Sequence, residues 1–173
     1  MGSFLKKLFG LENESPMPPS SDTQTVRKII REVDRLDPSE ARYLAAFAFV
    51  LARVANSDME VSEDEVRRME ETVCEIGGLS EAQAVLVVKI AKSQQLLTGG
   101  TENYLVTREF NKISTREQKE RLIHCLFEIS AADDSISLVE ENEVRRIAEE
   151  LQFDHREFSS IRSRYNTMRS ILK

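Results

Sequence analysis

Apolar residues recur at intervals of three and four along almost the whole chain from residue 22 onward. This spacing places them on one face of an α-helix and differs from the alternation typical of a half-buried strand. The chain has only 6 Gly and 4 Pro in 173 residues, so it lacks the turn residues that a β-sandwich of many short strands requires. The pattern therefore predicts an all-α fold, a bundle of about seven to eight helices.

Capping residues and glycines divide this pattern into separate helices. A Ser, Thr or Asp before an apolar-periodic stretch marks a helix start, and Gly marks an end. The predicted helices are 22–36, 38–55, 62–76, 80–97, 102–112, 115–132, 137–151 and 154–172. On the last of them one face carries Phe158, Ile161, Tyr165, Met168 and Leu172. The aromatic residues predicted to lie in the core are Phe47, Phe49, Phe110, Phe127, Phe153 and Phe158.

The chain divides into a short N-terminal region, residues 1–21, and a helical domain, residues 22–173. The first part has the pattern of a basic amphipathic helix followed by a linker rich in Pro and Ser. Lys6 and Lys7 lie opposite its apolar residues, which are Phe4, Leu5, Leu8, Phe9 and Leu11. One interpretation is weak contact with a membrane surface or docking on a protein partner. The other is that this helix folds back onto the domain.

The charge balance excludes several classes of protein. With 24 Lys and Arg against 30 Asp and Glu, the formal net charge is −6 and no long basic cluster occurs, so a nucleic-acid partner is not expected. No apolar stretch reaches the roughly 18 residues of a transmembrane helix, and the N-terminus lacks the apolar segment of a signal peptide. The expected location is the cytoplasm, and the protein partner is unknown.

The sequence contains no recognisable catalytic constellation. His124 and Cys125 are adjacent on a predicted helix, where neighbouring side chains point about 100° apart and do not form a nucleophile pair. The segment Gly99–Gly100 is not followed by the Lys-Ser/Thr of a phosphate-binding loop. The chain is therefore expected not to be an enzyme, and His124 and His155 are interpreted as structural residues.

A shift of 75 positions superimposes the sequence on itself without a gap. Each copy, at about 47–79 and 122–154, is predicted to be a helix, a turn of the form Asp-x-x-(Val/Ile)-Ser-x-x-Glu, and a second helix. The matching pairs include Leu51 with Leu126, Asp58 with Asp133, Ser62 with Ser137 and Glu65 with Glu140. An internal duplication is the economical explanation of these identities.

Each acidic turn is predicted to bring carboxylates from two successive helices toward the same space. Oxygen ligands of this kind suit the hard cations Mg²⁺ and Ca²⁺. The predicted ligands are Asp58, Glu65, Asp133 and Glu140, with Glu60, Glu63 and Asp134 in support. The turn is not an EF-hand, because the sixth position counted from Asp58 is Glu63 rather than Gly.

A second explanation of the acidic turns needs no ligand. The segments Ser62–Glu65 and Ser137–Glu140 have the spacing of capping boxes, and carboxylates in a first helical turn interact favourably with the helix dipole. Capping leaves Asp58 and Asp133 unexplained, because an Asp at the end of a helix meets an unfavourable dipole. The sequence thus leaves two hypotheses open, a cation-binding module and an interaction scaffold whose acidic turns only cap helices.

Two stretches of the chain resemble a known family. Residues 128–151, EISAADDSISLVEENEVRRIAEEL, are similar to the signature of the TerB family, which comprises the bacterial tellurite-resistance protein B and its relatives. Residues 104–121, YLVTREFNKISTREQKER, resemble the middle region of the same family. The similarity extends over roughly 25–165 and is more specific in the second copy of the repeat.

The resemblance implies an all-helical, duplicated domain whose paired acidic turns bind a divalent cation. On this basis Asp58 and Glu65 match the first turn, and Asp133 and Glu140 match the second. It also implies a role in stress response of the tellurite-resistance type, or one associated with the cell envelope. The chain departs from the family pattern after each Asp, where Met59 and Asp134 replace the usual Gly.

Overall fold

A computed structural model describes residues 21–55, 62–94, 103–132 and 134–169 of the chain. Within these ranges there are eight α-helices and one short 3₁₀-helix, and no strand is formed. The elements are α1 (Ser21–Val33), α2 (Pro38–Val54), α3 (Glu63–Glu75), α4 (Glu81–Gln94), α5 (Asn103–Ile113), α6 (Arg116–Ser130), α7 (Leu138–Glu150), α8 (His155–Ser163) and the 3₁₀-helix Asn166–Met168. The predicted all-α fold class is confirmed.

Side-chain caps determine where most of these helices begin. Capping boxes precede α3, α6, α7 and α8, with Ser, Thr or Asp as the capping residue and Glu or Gln three positions later. Asp37 caps α2 by accepting from the Ser39 N–H at 2.9 Å, and Pro38 occupies the first helical position, where no N–H is needed. The helix starts predicted from these residues agree with the structure.

The second helix, α2, forms the centre of the bundle. It is apolar on all sides rather than along one stripe, which is typical of a helix with neighbours all around it. Eleven of its 17 residues are buried, and it packs against α4, α5, α6 and α7. The ring of Phe47 meets that of Phe110 edge-on, with the centroids 6.0 Å apart. All six phenylalanines predicted to be core residues are buried.

The prediction for the last helix is wrong beyond residue 163. Helix α8 ends at Ser163, and the chain continues through the 3₁₀-helix to a parallel bridge between Ile136 and Arg169. Tyr165 is nevertheless buried and stacks on Phe127, with ring centroids 4.8 Å apart. The apolar periodicity correctly indicated burial of Tyr165, although not in a helix, but Met168 on the same predicted face is exposed. After the 3₁₀-helix, Arg169 turns inward to the buried carboxylate of Glu141.

Several predictions fall outside the described residues. The basic amphipathic helix and its linker occupy residues 1–20, and the predicted end of the fourth helix falls in 95–102. Helix α1 begins at Ser21, beside the predicted start of the helical domain at residue 22. Among the described helices none is long and apolar enough to cross a membrane.

Candidate divalent-cation site

The four predicted ligands fall into two groups. Glu65 and Glu140 are each the third residue of a helix, α3 and α7, and so stand in its first turn. Asp58 and Asp133 lie outside the described residues, so their pairing with these glutamates stays a prediction. In the part of the chain that the structure describes, no three His, Cys, Asp or Glu side chains form a group that could hold a metal ion.

Both glutamates close capping boxes of similar geometry. The Ser62 N–H donates to Oε2 of Glu65 at 2.6 Å, and Ser62 Oγ accepts from the Glu65 N–H at 3.2 Å. In the second copy the Ser137 N–H donates to Oε2 of Glu140 at 2.9 Å, and Ser137 Oγ accepts at 3.2 Å. The Ser137 hydroxyl also donates to the same Oε2 at 2.6 Å. The capping boxes predicted from the sequence are therefore confirmed.

Capping occupies only one oxygen of each carboxylate. Oε1 of Glu65 and Oε1 of Glu140 form no hydrogen bond with any described residue. Hydrogen bonds from the Ser62 side chain and backbone hold the pKa of Glu65 below its ordinary value of 4.5, so this carboxylate is ionised at neutral pH. Each glutamate thus has a fixed orientation and an oxygen available for a second interaction, which makes capping compatible with cation binding.

Asp134 occupies the position where the TerB pattern has Gly, and it has the backbone conformation typical of Gly. Its φ of 60° lies in the left-handed region, which Gly adopts without strain and Asp tolerates better than most residues. The replacement therefore preserves a left-handed residue in the second turn. Asp134 and Glu63, both predicted as supporting residues, are exposed, and Glu60 lies outside the described residues.

A groove of about 400 Å³ lies between the end of α2 and the start of α7. Val54, four residues before Asp58, lines one side, and Val139 and Glu140 line the other. The other lining residues are Arg53, Asn142, Glu143 and Arg146. Residues that flank both acidic turns in the sequence therefore meet at one groove, and one of the predicted ligands, Glu140, faces it.

Arg53 joins three helices immediately before the first acidic turn. Its side chain is only 4% exposed. The guanidinium donates to Glu143 Oε1 at 2.8 Å and to Glu150 Oε2 at 2.6 Å, both on α7, and to Thr107 Oγ1 on α5 at 2.7 Å. Burial disfavours the charged form, but the bonds to Glu150 and Glu143 outweigh it and raise the pKa of Arg53 above its ordinary value. The helix end that leads into the first turn is thereby held to α7.

Glu141, the neighbour of the predicted ligand Glu140, is a buried carboxylate whose side chain is 1% exposed. Arg169 binds both of its oxygens, with Nε donating to Oε2 at 2.7 Å and Nη2 to Oε1 at 2.8 Å. Arg162 donates to Oε1 at 3.3 Å, and Arg145 approaches it to 3.7 Å. Burial raises the pKa of Glu141, but the bonds and charges of Arg169 and Arg162 outweigh burial and leave it below 4.5.

Sequence reasoning identified neither Arg53 nor Glu141. Arg53 is 90 and 97 positions from its two carboxylate partners, and Glu141 is 28 positions from Arg169, so no local spacing connects them. One signal was available. Glu141 stands where the first copy of the repeat has Val66, and a charge at an apolar repeat position is a departure that needs a partner.

The stability that Glu141 contributes is expected to depend on pH. Its folded pKa lies below the ordinary value, so its contribution is complete above about pH 4.5 and is lost as the pH falls through the folded pKa. Urea unfolding of the wild type and of Glu141→Gln from about pH 7 to about pH 3 should show the difference in unfolding free energy shrinking at the acid end. A difference that stays constant over this range would contradict the ionised pair.

The cap of α7 is expected to contribute measurably to stability. Ser137→Ala removes the acceptor for the Glu140 N–H and should lower the unfolding free energy by about 1 kcal/mol. Ser160→Ala, in the exposed interior of α8, is the control and should cost nothing, because Ala has the higher helix propensity. Equal effects of the two substitutions in urea unfolding would show that the cap does not contribute to the unfolding free energy.

His124 and Cys125 do not form a nucleophile pair. His124 Nδ1 is 2.8 Å from the hydroxyl of Tyr165, while Cys125 Sγ donates to the Thr72 carbonyl at 3.7 Å. Burial raises the pKa of the Cys125 thiol to about 12, so it is not a thiolate at neutral pH. The contact with Tyr165 agrees with the structural role predicted for His124.

Comparison with known proteins places this fold in a family. Neither the curated proteins nor the solved structures include a significant match to the chain. The family model of tellurite resistance protein TerB matches residues 43–163, a range that runs from within α2 to the end of α8 and includes both acidic turns. Because this range covers well over half of the chain, the chain belongs to the TerB family.

Proposed function

We propose that the chain is a non-enzymatic helical module that binds a divalent cation, Mg²⁺ or Ca²⁺, at its two acidic turns. The observation that carries this proposal is that capping engages only one carboxylate oxygen of each glutamate. Glu65 and Glu140 are oriented through Oε2, and Oε1 of each is without a hydrogen bond to any described residue. Two carboxylates oriented in this way are suitable oxygen ligands for a hard cation.

The ligand set would be Asp58 with Glu65 in the first turn and Asp133 with Glu140 in the second. Mg²⁺ retains several waters and is often bound through one or two carboxylates, so two protein ligands per turn suit weak binding of either cation. The glutamates keep their capping bonds in this arrangement, because binding uses the other oxygen. A negative charge at the C-terminal end of a helix also becomes favourable when a cation neutralises it.

Membership of the TerB family supports the broader role. We propose a cellular function in stress response of the tellurite-resistance type or at the cell envelope, exerted through binding rather than catalysis. The buried, protonated thiol of Cys125 and the bonded ring of His124 give no support to a catalytic alternative.

Calorimetric titration of the full chain with Ca²⁺ and with Mg²⁺ tests the cation hypothesis. The wild type should bind two cations, and Asp58→Asn and Asp133→Asn should each bind one, because each substitution removes one carboxylate ligand while preserving side-chain size. The double variant should give no binding heat at millimolar cation. Glu71→Gln and Glu149→Gln, exposed carboxylates on α3 and α7, are matched controls that should bind as the wild type does.

Two results would contradict this proposal. Absence of heat for the wild type at millimolar Ca²⁺ and Mg²⁺ would refute cation binding by the turns. Unchanged binding in the double variant would place the cation elsewhere, outside the four predicted ligands.

The second candidate function is that of an interaction scaffold, and one observation favours it. Leu138 and Val139, the first two residues of α7, are 50% and 79% exposed. The first copy has Glu63 and Asp64 at the corresponding positions. Exposed apolar side chains beside a polar rim are typical of binding surfaces, and the described start of α3 has acidic residues at the corresponding positions instead. In this alternative the acidic turns only cap their helices, and the partner binds at the start of α7.

Co-sedimentation with vesicles of anionic and zwitterionic lipids tests whether the scaffold contacts a membrane. If the predicted basic helix makes the contact, a chain lacking residues 1–20 should remain in the supernatant while the full chain pellets. If the start of α7 makes it, Leu138→Ser with Val139→Ser should have that effect instead. Equal behaviour of all three proteins would exclude both surfaces as membrane contacts and leave a protein partner as the remaining form of this candidate.

A further inference from the structure

The second acidic turn is held by a short segment that follows α8, residues 166–169, here called the strap. Ile136 lies between Asp134 and the capping Ser137, and its N–H donates to the Met168 carbonyl at 2.7 Å. The two segments form a parallel bridge between Ile136 and Arg169. The turn thus satisfies one of its backbone amides with a carbonyl 32 residues further along the chain, which fixes its path against the strap.

The side chain of Arg169 anchors the strap on the other side of the cap. Its guanidinium makes the two-pronged contact with Glu141, and Nη1 donates to Asn166 Oδ1 within the strap at 3.2 Å. Bidentate arginine–carboxylate pairs combine strength with a defined geometry. Both partners are buried, so dissolved salt screens this pair much less than it screens a surface pair. The strap is therefore bonded both to the turn before Ser137 and to the helix after it.

Helix α3, which follows the first acidic turn, has no counterpart of Glu141 in its sequence. The residue that corresponds to Glu141 in the first copy is Val66, which has no group to accept a bond from an arginine. Val66 is half-buried on α3 and belongs to the apolar packing of that helix. The duplicated turns consequently differ in the one interaction that ties the second of them to a distant segment.

We propose that the strap is a conformational latch for the second acidic turn alone, so that releasing Arg169 from Glu141 frees the turn while the rest of the bundle stays folded. The backbone bond at Ile136 and the ion pair at Glu141 form one unit, because Met168 and Arg169, which make them, are neighbours in the strap. Loss of the ion pair should therefore reduce the protection of the Ile136 amide against hydrogen exchange. As a corollary, which rests on the function proposed above, cation binding at the second turn should depend on Arg169, whereas binding at the first turn should not.

Amide hydrogen exchange measured by NMR on the full chain tests the latch. In Arg169→Gln and in the near-isosteric Glu141→Gln, the protection of the Ile136 amide should fall by about tenfold or more. The amide of Val66, which donates to the Ser62 carbonyl at 3.0 Å in the first copy, should change by less than about twofold. Arg164→Gln, an exposed arginine just before the strap, is the control and should change neither amide.

Two results would overturn the latch. Unchanged protection of Ile136 in both variants would show that the ion pair does not control the turn. An equal loss of protection at Ile136 and Val66 would show that the pair supports the whole bundle rather than one turn.

Calorimetry in two backgrounds tests the corollary and separates it from the proposed function. With Asp58→Asn, only the second turn retains its ligands, and adding Arg169→Gln should weaken Ca²⁺ binding by about tenfold because the turn must then be ordered on binding. With Asp133→Asn, only the first turn remains, and Arg169→Gln should leave Ca²⁺ binding unchanged. Equal effects in both backgrounds would refute the corollary. Absence of heat in both, and in the wild type, would refute the proposed function, and hydrogen exchange would still decide the latch.

Discussion

Replacing Arg53 by methionine is expected to lower the free energy of unfolding by about 3 kcal/mol. The guanidinium is almost completely buried and binds Glu143, Glu150 and Thr107. Without it, Glu150, whose side chain is 13% exposed, loses its counter-charge. Among the described residues, Glu143, 24% exposed, keeps only the exposed Arg146 at 3.6 Å. Methionine fills much of the volume, so the loss reports the unpaired charges rather than a cavity. Urea unfolding at neutral pH measures it.

Lys89→Met is the matched control for this prediction. Lys89 pairs with Glu32 at 3.7 Å between α4 and α1, but both side chains are about half exposed. Exposed ion pairs contribute little, so this substitution should change the unfolding free energy by less than about 1 kcal/mol. A comparable loss in the two variants would mean that burial does not distinguish the Arg53 cluster from an ordinary surface pair.

The fold class and most helix starts could be predicted because local rules determine them. Capping residues such as Thr115 and Asp154 act within three or four positions, and an apolar period of 3.6 residues identifies the buried face of each helix. The end of the last helix could not be predicted in this way. The helix ends at Ser163, and the chain after it leads to Arg169, whose partner Glu141 comes from a different helix.

In the candidate site too, features that depend on neighbouring residues could be predicted, and features that depend on distant residues could not. The roles of Ser62, Glu65, Ser137 and Glu140 as caps follow from their spacing, and the structure confirms them. The strap could not be foreseen, because a valine and a glutamate at corresponding repeat positions reveal only that the copies differ. The role of the glutamate becomes clear only in the folded bundle, where residues 136, 141 and 169 lie together.

The two acidic turns thus have the same caps but different surroundings. The first is preceded by Arg53, which fixes the end of α2 against α7, and the second is followed by Glu141, which fixes the start of α7 against the strap. Both buried ion pairs engage α7. This helix therefore carries the charge partners of Arg53, at the end of α2, and of Arg169, in the strap. Substitutions of Glu143 and Glu150 should affect the first turn, and substitution of Glu141 should affect the second.

Replacing Phe127 by alanine is expected to lower the free energy of unfolding by about 4 kcal/mol. The ring is completely buried on α6 and stacks on Tyr165, with centroids 4.8 Å apart, and on Phe158 at 5.9 Å. Alanine leaves a cavity where these three rings meet and removes both ring contacts, which contribute roughly 0.5–1.5 kcal/mol each beyond their area. Because Tyr165 immediately precedes the strap, the Ile136 amide should also lose protection.

Phe127→Leu separates the ring contacts from the loss of volume. Leucine fills most of the site but cannot stack, so the unfolding free energy should fall by only about 1.5 kcal/mol. Leu105→Ala, at a residue 61% exposed on α5, is the control and should cost less than about 0.5 kcal/mol. If Phe127→Ala cost no more than Phe127→Leu, the aromatic cluster would have collapsed around the cavity. In that case Tyr165 would owe its position to its bond with His124 and to the strap rather than to stacking.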